Sequence, residues 1–306
     1  MITSWLTLRD LEYVIAVAKH EHFGRAAQEC HVSQPSLSTQ IKKIEGYLAT
    51  TLFERTNRRV STTAAGKKVA EQAAVVLAEA RKISTLLEPA ALDRFETLKL
   101  GCITTLAPFI PYAITELKKA FPQASLLLQE GLTHELIREL KVGNLDAVIA
   151  AAPIKDESLT KIPLFFEPFL LAAPNGHAIL KSPAPKISEL RPSDMVLLEE
   201  GHCLRDQTLG FCPVNRRGTI KSFHATSLET LRHLVASGAG YTLMPRLGTQ
   251  GRDLENLMSY LEFEDDRVGR KVILLCRNQS GDLSSFRRLA RTLVQAVPKK
   301  LGLREA

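Results

Sequence analysis

No run of apolar residues in this 306-residue chain approaches the roughly 18 that a membrane-spanning helix needs. Its start has no basic stretch leading into an apolar core, so no export signal is expected. The expectation is a cytoplasmic protein with no membrane partner. Cysteine is scarce: five residues, an odd number, exclude the class of small secreted domains held by disulfides. The spacing around Cys203 and Cys212 has no C-x2–4-C or H-x3–5-H pair, which disfavours zinc. No metal and no cofactor is expected. Acidic residues are missing from 55–68, where Arg55, Arg58, Arg59, Lys67 and Lys68 fall together. Such a cluster is either an ordinary solvated face or a nucleic-acid footprint. A net charge of +7, with 45% hydrophobic and 24% charged residues, describes a mildly basic globular chain.

Leu8, Leu11, Val14, Ile15, Val17 and Ala18 have the spacing of an amphipathic helix. His22-Phe23-Gly24 reads as a break, and 25–30 as a short helix whose Ala26 and Ala27 admit a close neighbour. Ser33 is an N-cap candidate for a third helix over 34–48, with Pro35 in its first turn and Leu37, Ile41, Ile44 and Leu48 inward. Two short helices joined by a tight turn make a helix-turn-helix, whose second helix enters the major groove. Gln34, Ser36, Ser38, Thr39 and Gln40 would face outward, as polar groups that reach bases and phosphates. A hairpin packed only for stability explains the apolar pattern equally well.

The double alanine, Ser33-Gln34-Pro35, Phe53-Glu54-Arg55-Thr56, a turn with Arg58 and Arg59, and Thr63-Ala64-Ala65-Gly66 follow in order. Together they resemble the N-terminal winged helix-turn-helix of LysR-type transcriptional regulators. The resemblance implies that Ser33, Gln34, Pro35, Ser38 and Thr39 face operator DNA, with Arg58 and Arg59 on a wing at the minor groove. Val69, Ala73, Val76, Ala80, Ile83 and Leu87 step by four and three along a helix over 64–88. That seam is buried either in its own domain or in a dimer, and the family uses it for dimers.

Beyond residue 97 strand and helix patterns alternate, which argues for a parallel sheet with helical crossovers. Strands are expected at 98–103, 125–130, 145–151, 169–173, 195–199, 219–223, 241–244 and 271–276. Helices are expected at 108–120, 134–141, 227–238 and 284–297. The fold class is then an α/β effector domain of two lobes, like periplasmic binding proteins, behind an all-α winged head and a linker helix. The expected boundaries are a head at 1–63, a linker at 64–92 and a regulatory domain at 93–306. Lobe I takes 93–165 and 269–306, and lobe II takes 166–268.

The segment 201–212 sets Cys203 and Cys212 in a polar run, with His202, Arg205 and Asp206 beside the first. A cationic neighbour favours the thiolate, which attacks peroxides, and a nearby second thiol captures the sulfenic acid. The residues alone leave two other readings: cysteines as buried packing, or metal ligands together with His202 and His224. The wider match decides between them. His202–Gln207, Gly210-Phe211-Cys212 and 225–232 resemble the peroxide-sensing members of the family over nearly the whole chain. Thr104 stands where a proline is expected. The resemblance implies a non-enzymatic sensor in which hydrogen peroxide oxidises Cys203 and a disulfide with Cys212 follows. Thr105 and Thr133 would hold the peroxide, His202 and Arg205 would support the thiolate, and Asp206 would orient one of them. Operator DNA, RNA polymerase, thioredoxin- or glutaredoxin-type reductants and a homodimer or homotetramer are the implied partners. Cys30, Cys102 and Cys276 are read as packing. The rivals are a family member responding to a metabolite in the interlobe cleft and, more distantly, a thiol peroxidase.

Overall fold

The computed structural model describes residues 6–55, 60–85, 96–211, 224–249, 257–278 and 283–305. These divide into two compact units, the first holding the N-terminal helices and the second the sheet.

In the first unit, α1 (Leu8–His20) is opened by a capping box in which Thr7 and Asp10 satisfy each other's backbone N–H. Then α2 (Phe23–Glu29) begins two residues earlier than its sequence suggests, because the His22 imidazole caps Gly24 and Arg25. Ser33 caps α3 (Gln34–Leu48), as its sequence predicts. A hairpin of β1 (Phe53–Arg55) and β2 (Val60–Thr62) is pinned to α3 by the Glu45 carboxylate, which accepts from the N–H groups of Leu52 and Phe53 at 2.8 and 3.0 Å. Helix α4 (Ala64–Thr85) follows. Val14, Val17, Phe23, Leu37, Ile41, Leu52 and Phe53 form the core. The α4 seam is divided: Ala73 packs with Leu77 and Leu11, while Val76 and Ile83 stay 39% and 69% exposed.

The second unit alternates as expected at first: β3 (Thr97–Ile103), a 3-10 turn (Thr104–Phe109), α5 (Ile110–Ala120), β4 (Ser125–Gly131), α6 (Thr133–Lys141) and β5 (Ala147–Ala151). Here β4 and β5 flank β3 in parallel. The long β6 (Leu159–Pro174) then leaves this lobe for the next, where β7 (Leu197–Leu198), α7 (Cys203–Phe211), β8 (His224–Ala225), α8 (Leu228–Ala236), β9 (Thr242–Pro245) and β10 (Met258–Glu262) lie. Finally β11 (Gly269–Arg277), α9 (Ser284–Gln295) and β12 (Arg304–Glu305) return to lobe I.

The sheet is mixed: the parallel pairing expected from the alternation holds for β3, β4 and β5, and the remaining pairs in it are antiparallel. β11 runs antiparallel to both β5 and β6, and β9 and β10 run antiparallel to β6. The cause is the path of the chain: β6 goes out and β11 comes back, and adjacent out-and-back strands are antiparallel. The polar segment 203–211 is helical, and the strand expected at 219–223 lies outside the described residues. Each lobe buries its own apolar cluster, one around Leu100, Val148, Phe165 and Leu274, the other around Phe169, Leu197, Leu231 and Leu243.

Candidate functional site

In the head, Ser33, Gln34, Pro35, Ser36 and Thr39 are exposed on one face of α3, and Ser38 is half-buried beside them. Thr39 donates to the Pro35 carbonyl (2.9 Å), leaving its oxygen free to accept. Gln40 departs from the outward set. Its amide donates at 2.7 Å to the buried Asp10 carboxylate, so it ties α3 to the cap of α1. Arg55 takes a place that the sequence reading gave only to a cluster: its guanidinium lies over the Phe23 ring at 4.3 Å and donates to Ser38 Oγ at 2.8 Å. It is a fixed cation beside the exposed face. Arg58 and Arg59 lie outside the described residues.

In the second unit, two nine-residue helices start at one small cavity. Thr133 is the first residue of α6 and Cys203 the first of α7, and both line a space of about 10 Å³ with Thr104, Thr105, Gly131, Leu132, Gly201 and His202. Room for roughly one water-sized centre is all that such a volume provides. Helix N-termini carry unpaired N–H groups and about half a positive charge each, so negative charge developing in this cavity meets two favourable ends.

The supporting residues divide. Thr105, Thr133 and His202 are at the cavity, as predicted from the sequence. Arg205 and Asp206 are not among its lining residues. The Arg205 guanidinium instead donates to the Leu198 carbonyl at 3.0 Å and meets His224 Nδ1 at 3.1 Å, and Asp206 is exposed. Arg205, two places along the helix, turns away from its first residue, whereas Asp206, three places along, stands exposed in the first turn, outside the cavity lining. Burial holds His202 below the usual histidine range, against the opposing pull of Glu199 and a hydrogen bond with the Thr226 backbone. Its ring is therefore neutral at pH 7 and adds no cation. The Thr104 hydroxyl lies 3.5 Å from His202 Nδ1, a long contact that proline could not make.

A stability test follows from His202. Its folded pKa lies below the unfolded value of about 6.5. As pH falls below that value the unfolded chain takes up the proton first, so stability is full above about pH 6.5 and is lost on acidification. The melting temperature is expected to fall between about pH 7.5 and pH 5.5, and His202→Gln is expected to reduce that slope. An unchanged slope in the variant removes His202 as its source.

Sequence reading missed a fully buried ion pair behind the cavity. Arg270 donates to Glu167 through Nε at 2.8 Å, and both side chains have no exposure. The same guanidinium donates to Thr105 Oγ1 at 2.8 Å and to the Thr105 carbonyl at 3.0 Å. The available signal is an acidic residue inside the apolar run of β6 and a basic one at the start of β11, which a sequence alone cannot pair. Cys102 and Cys276 fit the packing reading: burial pushes their thiols up to about 12 and about 11, and Cys30 is also raised by burial.

An exposed polar helix face in the first unit and a half-buried thiol in a two-lobed second unit are the plan of a ligand- or signal-responsive DNA-binding regulator. Residues 8–67 match the bacterial regulatory helix-turn-helix protein, lysR family, and residues 93–298 match the LysR substrate binding domain. The chain belongs to the LysR family of transcription regulators. It is 38% identical over 289 residues to the DNA-binding transcriptional dual regulator OxyR of Escherichia coli K12, covering 94% of this chain and 95% of that protein. A full-length OxyR variant from Pseudomonas aeruginosa is similar in structure with a TM-score of 0.75 at 34% identity, over 94% of this chain and 97% of that one. A hydrogen-peroxide-bound OxyR variant from Corynebacterium glutamicum gives 0.60 at 29% identity, over 95% and 94%.

Proposed function

We propose that this regulator senses hydrogen peroxide through Cys203 and passes the signal by a disulfide with Cys212. The observation that carries the reading is the cavity: a half-buried sulfur at two helix N-termini, with threonine hydroxyls beside it and room for one very small molecule. A metabolite does not fit that volume, which separates this reading from the metabolite-responsive one at this site. The OxyR likeness supports it.

In the first step the Cys203 thiolate attacks one peroxide oxygen, giving the sulfenic acid and hydroxide, which takes a proton to leave as water. Thr105 and Thr133 hydroxyls and the N–H groups at the helix starts would hold the leaving oxygen. In the second step the Cys212 thiolate attacks the sulfenic sulfur, forming the disulfide and releasing hydroxide, again protonated to water.

That second step has a geometric consequence. The Cα atoms of Cys203 and Phe211 are eight residues apart on α7, about 12 Å at 1.5 Å per residue. Cys212 lies outside the described residues, one chain step of about 3.8 Å beyond Phe211, and a helix intact to Phe211 is too long for the roughly 4.4–6.8 Å between Cα atoms that a disulfide needs. Helix α7 must therefore unwind for the bond to form. Unwinding breaks what α7 holds: the Gln207 amide on the Ala152 carbonyl (3.2 Å), Leu204 and Phe211 in the lobe II core, and Arg205 on Leu198. The disulfide thus biases two packings of the regulatory domain.

On this reading the head binds operator DNA as a homodimer or homotetramer, with Val76 and Ile83 covered by a second copy, and the oxidised form engages RNA polymerase. Thioredoxin- or glutaredoxin-type dithiols restore the thiols. The test is disulfide mapping by mass spectrometry before and after a stoichiometric dose of hydrogen peroxide. A Cys203–Cys212 peptide pair is expected in the oxidised sample alone. Pairing of other cysteines, or none, overturns the mechanism.

A further inference from the structure

Glu167 is a carboxylate with no exposure in the middle of an apolar strand, and charge is not placed there without cost. Its position is where the two lobes meet. Up to Pro168, β6 pairs with β11 in lobe I; from Phe169 it pairs with β9 and β10 in lobe II. Arg270 is its direct cross-strand neighbour. The two carboxylate oxygens have different duties: Oε1 accepts from the Leu247 N–H at 2.8 Å, in the turn after β9, and Oε2 accepts from Arg270 Nε at 2.8 Å. Both oxygens are thus used, one on each side of the crossing.

The far side of the Arg270 fork reaches the cavity. It donates to both the hydroxyl and the carbonyl of Thr105. Guanidinium has no acceptor, so Thr105 Oγ1 is the acceptor in that bond and its own proton must point elsewhere. Thr105 also lines the cavity. The fork therefore leaves the Thr105 proton free of Arg270 and available to an acceptor in the cavity, and the fork's aim depends on Glu167.

We propose that Glu167 is a positioning residue for peroxide reduction at Cys203, acting through Arg270 to turn the Thr105 hydroxyl into a donor to the leaving oxygen. The proposal rests on the reading of Cys203 as the peroxide-reactive sulfur. Glu167 touches neither the sulfur nor the cavity. It also binds the Leu247 N–H, so the aim of the donor is tied to the meeting of the lobes.

Glu167→Gln keeps the shape and removes one acceptor. A glutamine has one oxygen, so its amide N–H₂ must face either Arg270 or the Leu247 N–H, a donor against a donor. The experiment uses the full chain in a Cys212→Ser background and follows loss of the Cys203 thiol by mass spectrometry. Two reagents are compared, hydrogen peroxide and iodoacetamide; iodide leaves without help from a hydroxyl donor. Glu167→Gln is expected to slow the peroxide reaction about tenfold or more and to leave alkylation unchanged. Thr105→Val is expected to do the same, and the double variant to be no slower than Thr105→Val alone.

Should Glu167→Gln fold poorly, Glu167→Gln/Arg270→Gln removes both charges together and leaves no unpaired charge buried. A double variant that melts like the wild type and still reacts slowly with peroxide supports the proposal. Wild-type peroxide rates in either variant overturn it, as does an equal loss in both reactions. A wild-type Cys203 inert to peroxide overturns the sensing reading itself, and the proposal with it; a reactive wild type with an equally reactive Glu167→Gln overturns the proposal alone.

Discussion

Cys203→Ser is expected to abolish the peroxide response and to leave operator binding by the reduced protein unchanged. The substitution exchanges sulfur for oxygen at a half-buried position, and the neighbours that hold α7 in lobe II, Leu204 and Thr208, are untouched. An alcohol at neutral pH is not a nucleophile toward peroxide, and loss of a reacting nucleophile commonly costs on the order of a millionfold. The exposed α3 face of the head, from Ser33 to Thr39, is made entirely of first-unit residues. Footprints of the wild type with and without peroxide are expected to differ. Those of the variant are expected to coincide with each other and with the reduced wild type. A peroxide-dependent footprint in the serine variant removes Cys203 from the mechanism.

Gly66→Ala is expected to destabilise the head and weaken DNA binding while sparing the thiol chemistry. A Cβ at Gly66 would stand 2.2 Å from the Leu52 carbonyl oxygen and 3.0 Å from Thr62 Cγ2. The first contact is with backbone, and the surroundings cannot yield easily. Leu52 is fully buried, and its carbonyl and that of Thr51 also accept from Thr63 Oγ1 at 3.1 and 2.9 Å. The same hydroxyl oxygen accepts the Gly66 N–H at 2.9 Å. Helix α4 must back away from the base of the β1–β2 hairpin. Overpacking of this kind costs about 1–3 kcal/mol, and each kcal/mol lowers the melting temperature of a small domain by roughly 4–8 °C. A head transition lower by about 5–20 °C is expected in a calorimetric scan, with operator affinity reduced about tenfold. Peroxide reactivity of Cys203 should match the wild type, since its cavity belongs to the second unit. An unshifted head transition would falsify the close-packing argument at Gly66.

The parts legible in the sequence are those written in local chemistry. Ser33 with Pro35 marks the start of α3, the apolar stripe of α1 marks its buried face, and the early strand–helix alternation gives β3 to β5 in nearly correct places. What the sequence conceals is long-range. The shared strand β6 joins a pattern read as ending with the third strand to one read as beginning at 169. Its Pro163 and Pro168 interrupt the apolar run that would have announced it. Helix α7 hides because Cys203, Thr208 and Gly210 are weak helix formers; its stability comes from Leu204 packing into lobe II.

The thiol site shows the same division. Cys203, His202, Thr105 and Thr133 were found by residue type and resemblance. Arg270 was not, because 165 residues separate it from the threonine it holds. Conversely, Arg205 looked important by adjacency, and its guanidinium is turned to Leu198. Gln40 likewise reads as outward by composition, and the buried charge of Asp10 draws it in.

One last consequence follows from β6. Residues Leu159–Pro174 are laddered to strands of both lobes in turn, so the lobes share a single axle. Separating them would tear hydrogen bonds along that strand, whereas torsion about it leaves the ladder within each lobe paired. On the proposed mechanism, motion released by the melting of α7 would leave the domain as a change of angle, and the oxidised state is to be sought as a rotation.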